Sequence, residues 1–283
     1  MSESQGSVLI VTKSGGGAAS ELGDEIASWL SARGVDSIIV EHPYPPARIN
    51  VSAYRENCIL VLVLGGDGTF ISTAGVVLDW QVPVLGVNHG RVGFLAEVLP
   101  DEWETALERF FSNDLDISLR IAFEYEVQRG NGIVARGVAV NDLVISRGAV
   151  ARIISLDIGQ KGQWIKNLRA DGMIISTPTG STAYNVSAGG PLVHPEFSAM
   201  CVTPVCPFLN GIRPMVLPAS DQLTIDVAEA SGDVYLTEDG RVPYPLNRGY
   251  RVTIKKHKNE LMLARIHSNT FFQKLRSKGF LSE

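Results

Sequence analysis

Two architectures follow one another in this chain: a parallel α/β domain at the N-terminus and a β-rich domain of sheets at the C-terminus. Three observations predict this α/β + β class. Up to about Leu115, short continuously apolar runs alternate with segments of helical periodicity, the pattern of buried parallel strands joined by crossover helices. Beyond Leu115, polar and apolar residues alternate one by one, as half-buried strands require. Turn-forming segments such as "GNG" recur in that second part, between strand-like runs.

The elements follow in order. "VLIVTK" (Val8 to Lys13) reads as the first buried strand. After "SGGGA", the stretch "ASELGDEIASWLSARG" places Leu22, Ile26, Trp29 and Leu30 at helical spacing and stops at Gly34, a residue suited to end a helix. "VDSIIVEHP", "CILVLVLGG" and "VPVLGVN" read as three more strands. "TFISTAGVVLDW" fits a crossover helix, and "LPDEWETALERFFSND" fits another with Asp101 as its N-cap. The β-rich texture begins with "DISLRIAFEYEVQRGNGIVARGVAVNDLVISRG" and runs on through "NELMLARI". These readings give an α/β domain over 1–115, a β-rich domain over 116–267, and a terminal helix within 268–283 that packs back on the first domain.

Composition narrows the partners. Hydrophobic residues make up 45% of the 283 and charged residues 19%, an ordinary globular balance. The net charge of −5 argues against a general nucleic-acid binder, while a locally basic site for a small anion stays open. No apolar run reaches the roughly 18 residues that span a membrane, and "MSESQGSVLIV" has no basic region ahead of its apolar stretch. A cytoplasmic location is expected. The three cysteines are too few for a disulfide framework. His194, Cys201 and Cys206 ("CVTPVC") could be imagined around a metal, but zinc sites usually need tighter pairs and four ligands, so buried inert thiols are the expectation.

Three constellations could carry chemistry. In "CILVLVLGGDGTFISTAG", a buried strand ends at Gly65, Gly66, Asp67, Gly68 and Thr69. Ligands of open α/β sheets bind beyond the carboxyl ends of strands. Amides of such a glycine-rich turn can hold phosphate oxygens, and Asp67 beside them can accept a hydroxyl proton or help place Mg²⁺. The bland reading is a tight turn with Asp67 bonded to its own backbone. The second constellation, "STPTGSTAYNVSAGGP", gathers Thr177, Thr179, Ser181, Thr182, Asn185 and Ser187 around Tyr184, a composition that suits a nucleoside, against an ordinary polar loop. The third is Asn141–Asp142 in "VAVNDLVISRG", where adjacent strand residues point to opposite faces unless a bulge intervenes. His89 in "GVNHGRVGF" reads equally as structural or functional. No Walker loop, G-x-G-x-x-G fingerprint, protein-kinase signature or G-x-S-x-G elbow occurs, which argues against a hydride-transfer Rossmann enzyme.

Taken together, "GGDGTF", "PVLGVNHGRVGFLAE", "VND" and "DGMIISTPTGSTAYNVSAGGPLVHP" resemble the NAD kinases, in that order and along most of the chain. "GGDGT" alone is shared with diacylglycerol and sphingosine kinases and loosely with phosphofructokinases, but "FISTAG" follows it here in place of the lipid kinases' asparagine-glutamate-valine stretch. The resemblance implies a Rossmann-like α/β first domain, a β-sandwich-like second domain and NAD held in the cleft between them. It implies Mg²⁺-dependent transfer of a phosphoryl group from ATP or polyphosphate to the 2′-hydroxyl of the adenosine ribose, in a homodimer or homotetramer. Carried over, Asp67 is the proton acceptor with Gly68 beside it on the dinucleotide, over a phosphate loop of Gly65, Gly66, Gly68 and Thr69. Asn141, Asp142, Arg152, Arg169 and Asp171 match NAD contacts, and Thr182, Ala183, Tyr184, Asn185, Val186 and Ser187 match the adenosine-side segment. Two residues depart from the family: Asp142 stands where glutamate is usual, and Arg241 in "EDGRVP" where many relatives carry glutamine. A non-catalytic dinucleotide sensor is the reading from another class, and the intact Asp67 weighs against it.

Overall fold

A computed structural model describes residues 6–15, 17–43, 49–88, 93–149, 152–208, 212–229, 232–241, 243–266 and 271–281, in two compact units. One unit takes residues 1–120 and 260–283, the other 121–259. Along the first unit run β1 (Ser7–Thr12), α1 (Ala18–Ser31), β2 (Asp36–Glu41), β3 (Cys58–Leu64), α2 (Asp67–Val77), β4 (Val84–Val87), α3 (Trp103–Phe111) and β5 (Asp116–Arg120). β1 pairs in parallel with β2 and β3, and β3 with β4. Alternate residues divide the sheet between its faces: Val8, Ile10, Leu60, Leu62 and Leu64 join Leu22, Ile26 and Leu30 of α1 and Leu107 of α3 in one core. α2 packs against β3 and β4.

α1 ends where its sequence says. Gly34 takes φ 74°, its N–H reaches the Ser31 carbonyl at 3.0 Å, and the next amide, Val35, reaches back to Leu30 at 3.1 Å. This doubly bonded stop closes the last turn and buries Val35 with Leu30. Asp101 is not the cap of α3. Glu102 takes that place, and its Oε2 accepts the Leu99 N–H at 2.9 Å, so the longer side chain reaches back over the turn.

The second unit holds β6 (Phe123–Arg129), β7 (Gly132–Ala139), β8 (Asp142–Arg147), β9 (Ile154–Gln160), β10 (Gln163–Ala170), β11 (Gly172–Ser176), the short α4 (Tyr184–Ser187), β12 (Ala199–Val205), β13 (Met215–Pro218), β14 (Leu223–Glu229), β15 (Val234–Glu238), β16 (Tyr244–Leu246) and β17 (Tyr250–Lys256). They form two six-stranded sheets, in the orders β10-β9-β14-β17-β6-β7 and β13-β12-β11-β8-β15-β16. Every paired strand in both is antiparallel. The expected "GNG" hairpin joins β6 to β7, with Arg129 opposite Gly132 and Gly130 at φ 58°. Inward residues of the two sheets, among them Phe123, Leu156, Ile225 and Ile254 from one and Leu143, Ile145, Met173 and Val202 from the other, make a single core. The alternating pattern predicts the half-buried strands, and their pairing into two facing sheets is the sandwich that the family resemblance implies.

The chain then returns to the first unit as β18 (Leu261–Arg265) and α5 (Phe271–Ser277). The sequence places 116–120 and 261–265 with the β-rich part. In the structure β5 and β18 pair antiparallel with each other, β18 lies parallel beside β4, and the first sheet runs β2-β1-β3-β4-β18-β5. Their alternation marks them as strands, but alternation does not name a partner. Gly34→Ala tests the local logic of α1: the added Cβ at positive φ costs about 1–2 kcal/mol, read as a lowered urea midpoint with an unchanged slope.

Candidate functional site

The turn after β3 is shorter than its glycines suggest. Only Gly65 and Gly66 lie outside regular structure, and α2 begins at Asp67 itself, so Gly68 and Thr69 sit in its first turn. None of the three glycines has positive φ. Their use is space: a Cβ on Gly66 or Gly68 would meet nothing within 4 Å, whereas one on Gly65 would crowd the Thr69 side chain at 3.0 Å. The first bond of the α2 ladder runs from the Phe70 N–H to the Gly66 carbonyl at 3.0 Å, leaving the amides of Asp67, Gly68 and Thr69 ahead of it. A helix start of this kind favours a negatively charged ligand.

The Asp67 carboxylate turns toward the segment that follows β4. Its Oδ2 accepts the Phe94 N–H at 2.8 Å, and its Oδ1 accepts those of Leu95 at 3.1 Å and Ala96 at 3.0 Å. Asp67 is therefore held by distant backbone, not by its own turn as the bland reading had it. The approach is close enough that a Cβ on Gly93 would lie 2.0 Å from Oδ1. Gly93 and the amides of 94–96 are part of this site, and nothing in their residue types beyond the family motif marks them. Residues 89–92, and with them His89, lie outside the described residues.

A matching clamp stands in the second unit. Asp239, just past β15, accepts the N–H of Val140 on Oδ2 at 2.9 Å and those of Asn141 and Asp142 on Oδ1 at 2.7 and 3.1 Å. These bonds resolve the question posed by adjacent Asn141 and Asp142: β8 starts at Asp142, and Asn141 precedes it in a backbone segment held by Asp239. Arg241 supports the clamp with Nη2 3.4 Å from Asp239 and Nη1 2.8 Å from Glu238. Glu238 faces inward and accepts the Tyr125 hydroxyl at 2.9 Å. Arg241 is thus occupied by buried carboxylates, a role that its place in "EDGRVP" did not reveal.

Beside the clamp opens a cavity of about 470 Å³. Asp142, Val144 and Ser146 line it from the outward face of β8, opposite the core residues Leu143 and Ile145. Asn141, Ala183, Tyr184, Thr237 and Gly240 complete most of the lining. Burial raises the Asp142 carboxyl to about 7, with the nearby Asp239 charge adding to the effect. Burial also raises Asp239, to about 6, against the opposing pull of its three amide donors and Arg241.

Three polar side chains of the hydroxyl-rich block, Thr177, Ser181 and Asn185, bond to the protein itself. Thr177 Oγ1 donates to the Val140 carbonyl at 2.7 Å and accepts the Gly180 N–H at 3.1 Å. Ser181 Oγ bonds both the Val193 carbonyl and its N–H at 3.1 Å. Asn185, fully buried, accepts from Thr203 Oγ1 at 2.7 Å and donates to the Pro191 carbonyl at 2.9 Å. These side chains fasten the block to the sheet and to the Val140–Asn141 segment; Ala183 and the half-exposed Tyr184 are what it presents to the cavity. Thr182 ends a 3-10 turn (Thr179–Thr182), and Val186 and Ser187 lie on α4. Gly180 fits because its missing Cβ would stand 2.3 Å from the Asn141 carbonyl oxygen.

Arg152, Arg169 and Asp171 do not line this cavity. Arg152 and Arg169 are exposed, Arg169 over the Phe208 ring, and Asp171 is gripped by Arg147 at 2.7 Å. Asp171 precedes β11 at the end where Gly172 pairs with Ser146, whereas Ser176 pairs with Asp142 at the other. Cys201 is buried on β12 and Cys206 exposed beyond its end.

The first unit thus sets a glycine-led helix start at the end of a parallel strand, and the second an antiparallel sandwich beside a carboxylate-lined cavity. Residues 48–115 match the model of the ATP-NAD kinase N-terminal domain, and residues 140–266 that of the ATP-NAD kinase C-terminal domain. The chain is 44% identical over 277 residues to an NAD kinase of Nitratidesulfovibrio vulgaris, covering 98% of this chain and 97% of that one. It is 39% identical to an NAD kinase of Geotalea daltonii, covering 91% and 92%. The fold is also that of a yeast NADH kinase solved with NADH (TM-score 0.89, 24% identity, 100% and 89% covered). An Archaeoglobus fulgidus NAD kinase solved with ATP is similar too (TM-score 0.73, 22% identity, 95% and 99% covered). The chain belongs to the NAD kinase family.

The raised carboxyls make stability depend on pH. Asp142 binds its proton more tightly folded than unfolded, so the folded state carries excess protons between about pH 4 and 7. Stability therefore falls as pH rises through that window. Asp142→Asn removes the contribution, and its melting temperature gains on wild type as pH goes from 5 to 8, measured by thermal denaturation across buffers. At the other clamp, Gly93→Ala drives the Asp67 carboxylate from its amides and lowers the melting temperature, read in the same thermal denaturation.

Proposed function

We propose that Asp67 is the general base for phosphoryl transfer from ATP to the 2′-hydroxyl of the adenosine ribose of NAD. That the chain is a kinase acting on NAD follows from its family. The observation that carries the residue assignment is the placement of the Asp67 carboxylate, fixed by three amides at the open start of a helix. A carboxylate offers about four lone-pair sites. Two amides fill Oδ1 and one reaches Oδ2, so Oδ2 keeps a site for the proton of an incoming hydroxyl. The donor's phosphates are read onto the leading amides of α2, where Gly66 and Gly68 leave the backbone uncovered.

The cavity beside Asp142 is read as the place of the adenosine side of NAD. Asn141 and Asp142 serve a ribose hydroxyl, the shorter aspartate reaching it directly or through one water, and the Tyr184 ring lines the base. Mg²⁺ fits as an ion carried on the donor's phosphates, because no group of three ligating side chains comes together among the described residues. It would neutralise charge on the transferred group. The family resemblance supports a cytoplasmic homo-oligomer, and no helix among the described residues is long and apolar enough to cross a membrane.

The test is formation of NADP from NAD, ATP and Mg²⁺, followed with an NADP-specific dehydrogenase, with polyphosphate in a parallel reaction. Asp67→Asn should lower kcat by about 10² to 10⁴ while NAD binding stays close to wild type. Near-normal turnover by that variant would remove Asp67 from the role of base.

A further inference from the structure

Asp67 depends on a segment that has its own anchor. Lys274 of α5, largely buried at 11% side-chain exposure, donates from Nζ to the Phe94 carbonyl at 3.0 Å. The N–H of that same Phe94 is the amide on Asp67 Oδ2. Lys274 also pairs with Glu97, buried at 2%, which Arg265 of β18 approaches at 3.4 Å. A second tie comes from the end of α5: Gly279 at φ 78° and the Phe280 N–H on the Leu275 carbonyl at 2.9 Å turn the chain back, and the Phe280 ring lies 5.9 Å from that of Phe94. The Phe94 carbonyl shares its peptide plane with the Leu95 N–H, which donates to Asp67 Oδ1, so that one peptide unit is committed on one side to Asp67 and on the other to the C-terminal helix.

We infer that Lys274 is a positioning residue for the reaction: from the C-terminal helix it holds the Phe94 carbonyl and so sets the amides that orient the Asp67 carboxylate. This rests on the reading of Asp67 as the base. An ion pair serving only to dock a helix would need Glu97 and no carbonyl acceptor. The bond to Phe94 adds a direct mechanical link, one peptide away from the reacting carboxylate. Misplacement of a reacting group by about 1 Å can cost about 10²-fold in rate.

The full-length protein tests it in the NADP-forming assay. Lys274→Met should lower kcat about 10- to 100-fold with the KM for NAD and for ATP little changed, and Lys274→Arg, which keeps a donor, should recover most of the loss. Because Lys274 acts through Asp67, Lys274→Met should add no further loss in an Asp67→Asn background. A folded Lys274→Met enzyme with wild-type kcat overturns the inference, as do losses that multiply in the double variant. Should Lys274→Met not fold, Phe280→Ala decides: reduced kcat at unchanged KM supports the anchor, and unchanged kcat overturns it. An active Asp67→Asn enzyme sinks the base assignment itself, whereas an inactive Asp67→Asn beside a fully active Lys274→Met overturns only the role of Lys274.

Discussion

The three amides of Phe94, Leu95 and Ala96 that converge on the Asp67 carboxylate constrain much of the first unit. A carboxylate is held in one orientation by donors that are themselves fixed, and three successive backbone amides of the segment after β4 meet that need. The arrangement requires Gly93, whose Cβ would overlap Asp67. It also requires Gly86 on β4, whose Cβ would lie 2.7 Å from Ala96 and 2.8 Å from Phe70. Packing of α2 on β4 and the position of the acidic side chain are one problem with one solution.

The second unit solves the same problem with the roles exchanged. There Asp239 is the holder, and the segment it holds, Val140 to Asp142, carries the residues that face the cavity. Burial raises both carboxyls, the Asp239 charge adds to the rise of Asp142, and the amides and Arg241 offset part of the rise of Asp239. Buried charges are tolerated where donors and counter-charges surround them, and here they fix backbone that a cavity must rely on. The hydroxyl-rich block belongs to the same scaffold: Thr177, Ser181 and Asn185 bond inward, so that Ala183 and Tyr184 can face out.

Strand and helix content was legible because periodicity is local. The apolar run of β3, the helical spacing of α1 with its glycine stop, and the Gly130 hairpin each follow from a few neighbouring residues. What was not legible depended on partners far along the chain. β5 and β18 carry the same alternation as the sandwich strands, and only burial beside β4 assigns them to the other sheet. Asp101 had the chemistry to cap α3, but the cap position falls on Glu102, whose carboxylate bonds the Leu99 amide ahead of the helix. Composition near Tyr184 did not tell that Thr177 and Ser181 donate to the carbonyls of Val140 and Val193.

By itself the sequence determined the two-part architecture, the turn at the end of β3 and the identity of the acid in it, since these rest on residue types at short spacing. Tertiary structure alone decided what holds that acid: three amides 27 to 29 residues away and, behind them, a lysine 180 residues from Phe94. The physical reason is that a backbone N–H or carbonyl is the same group in every residue. No residue type announces which amide will meet which side chain, and only the folded chain brings them within hydrogen-bond distance.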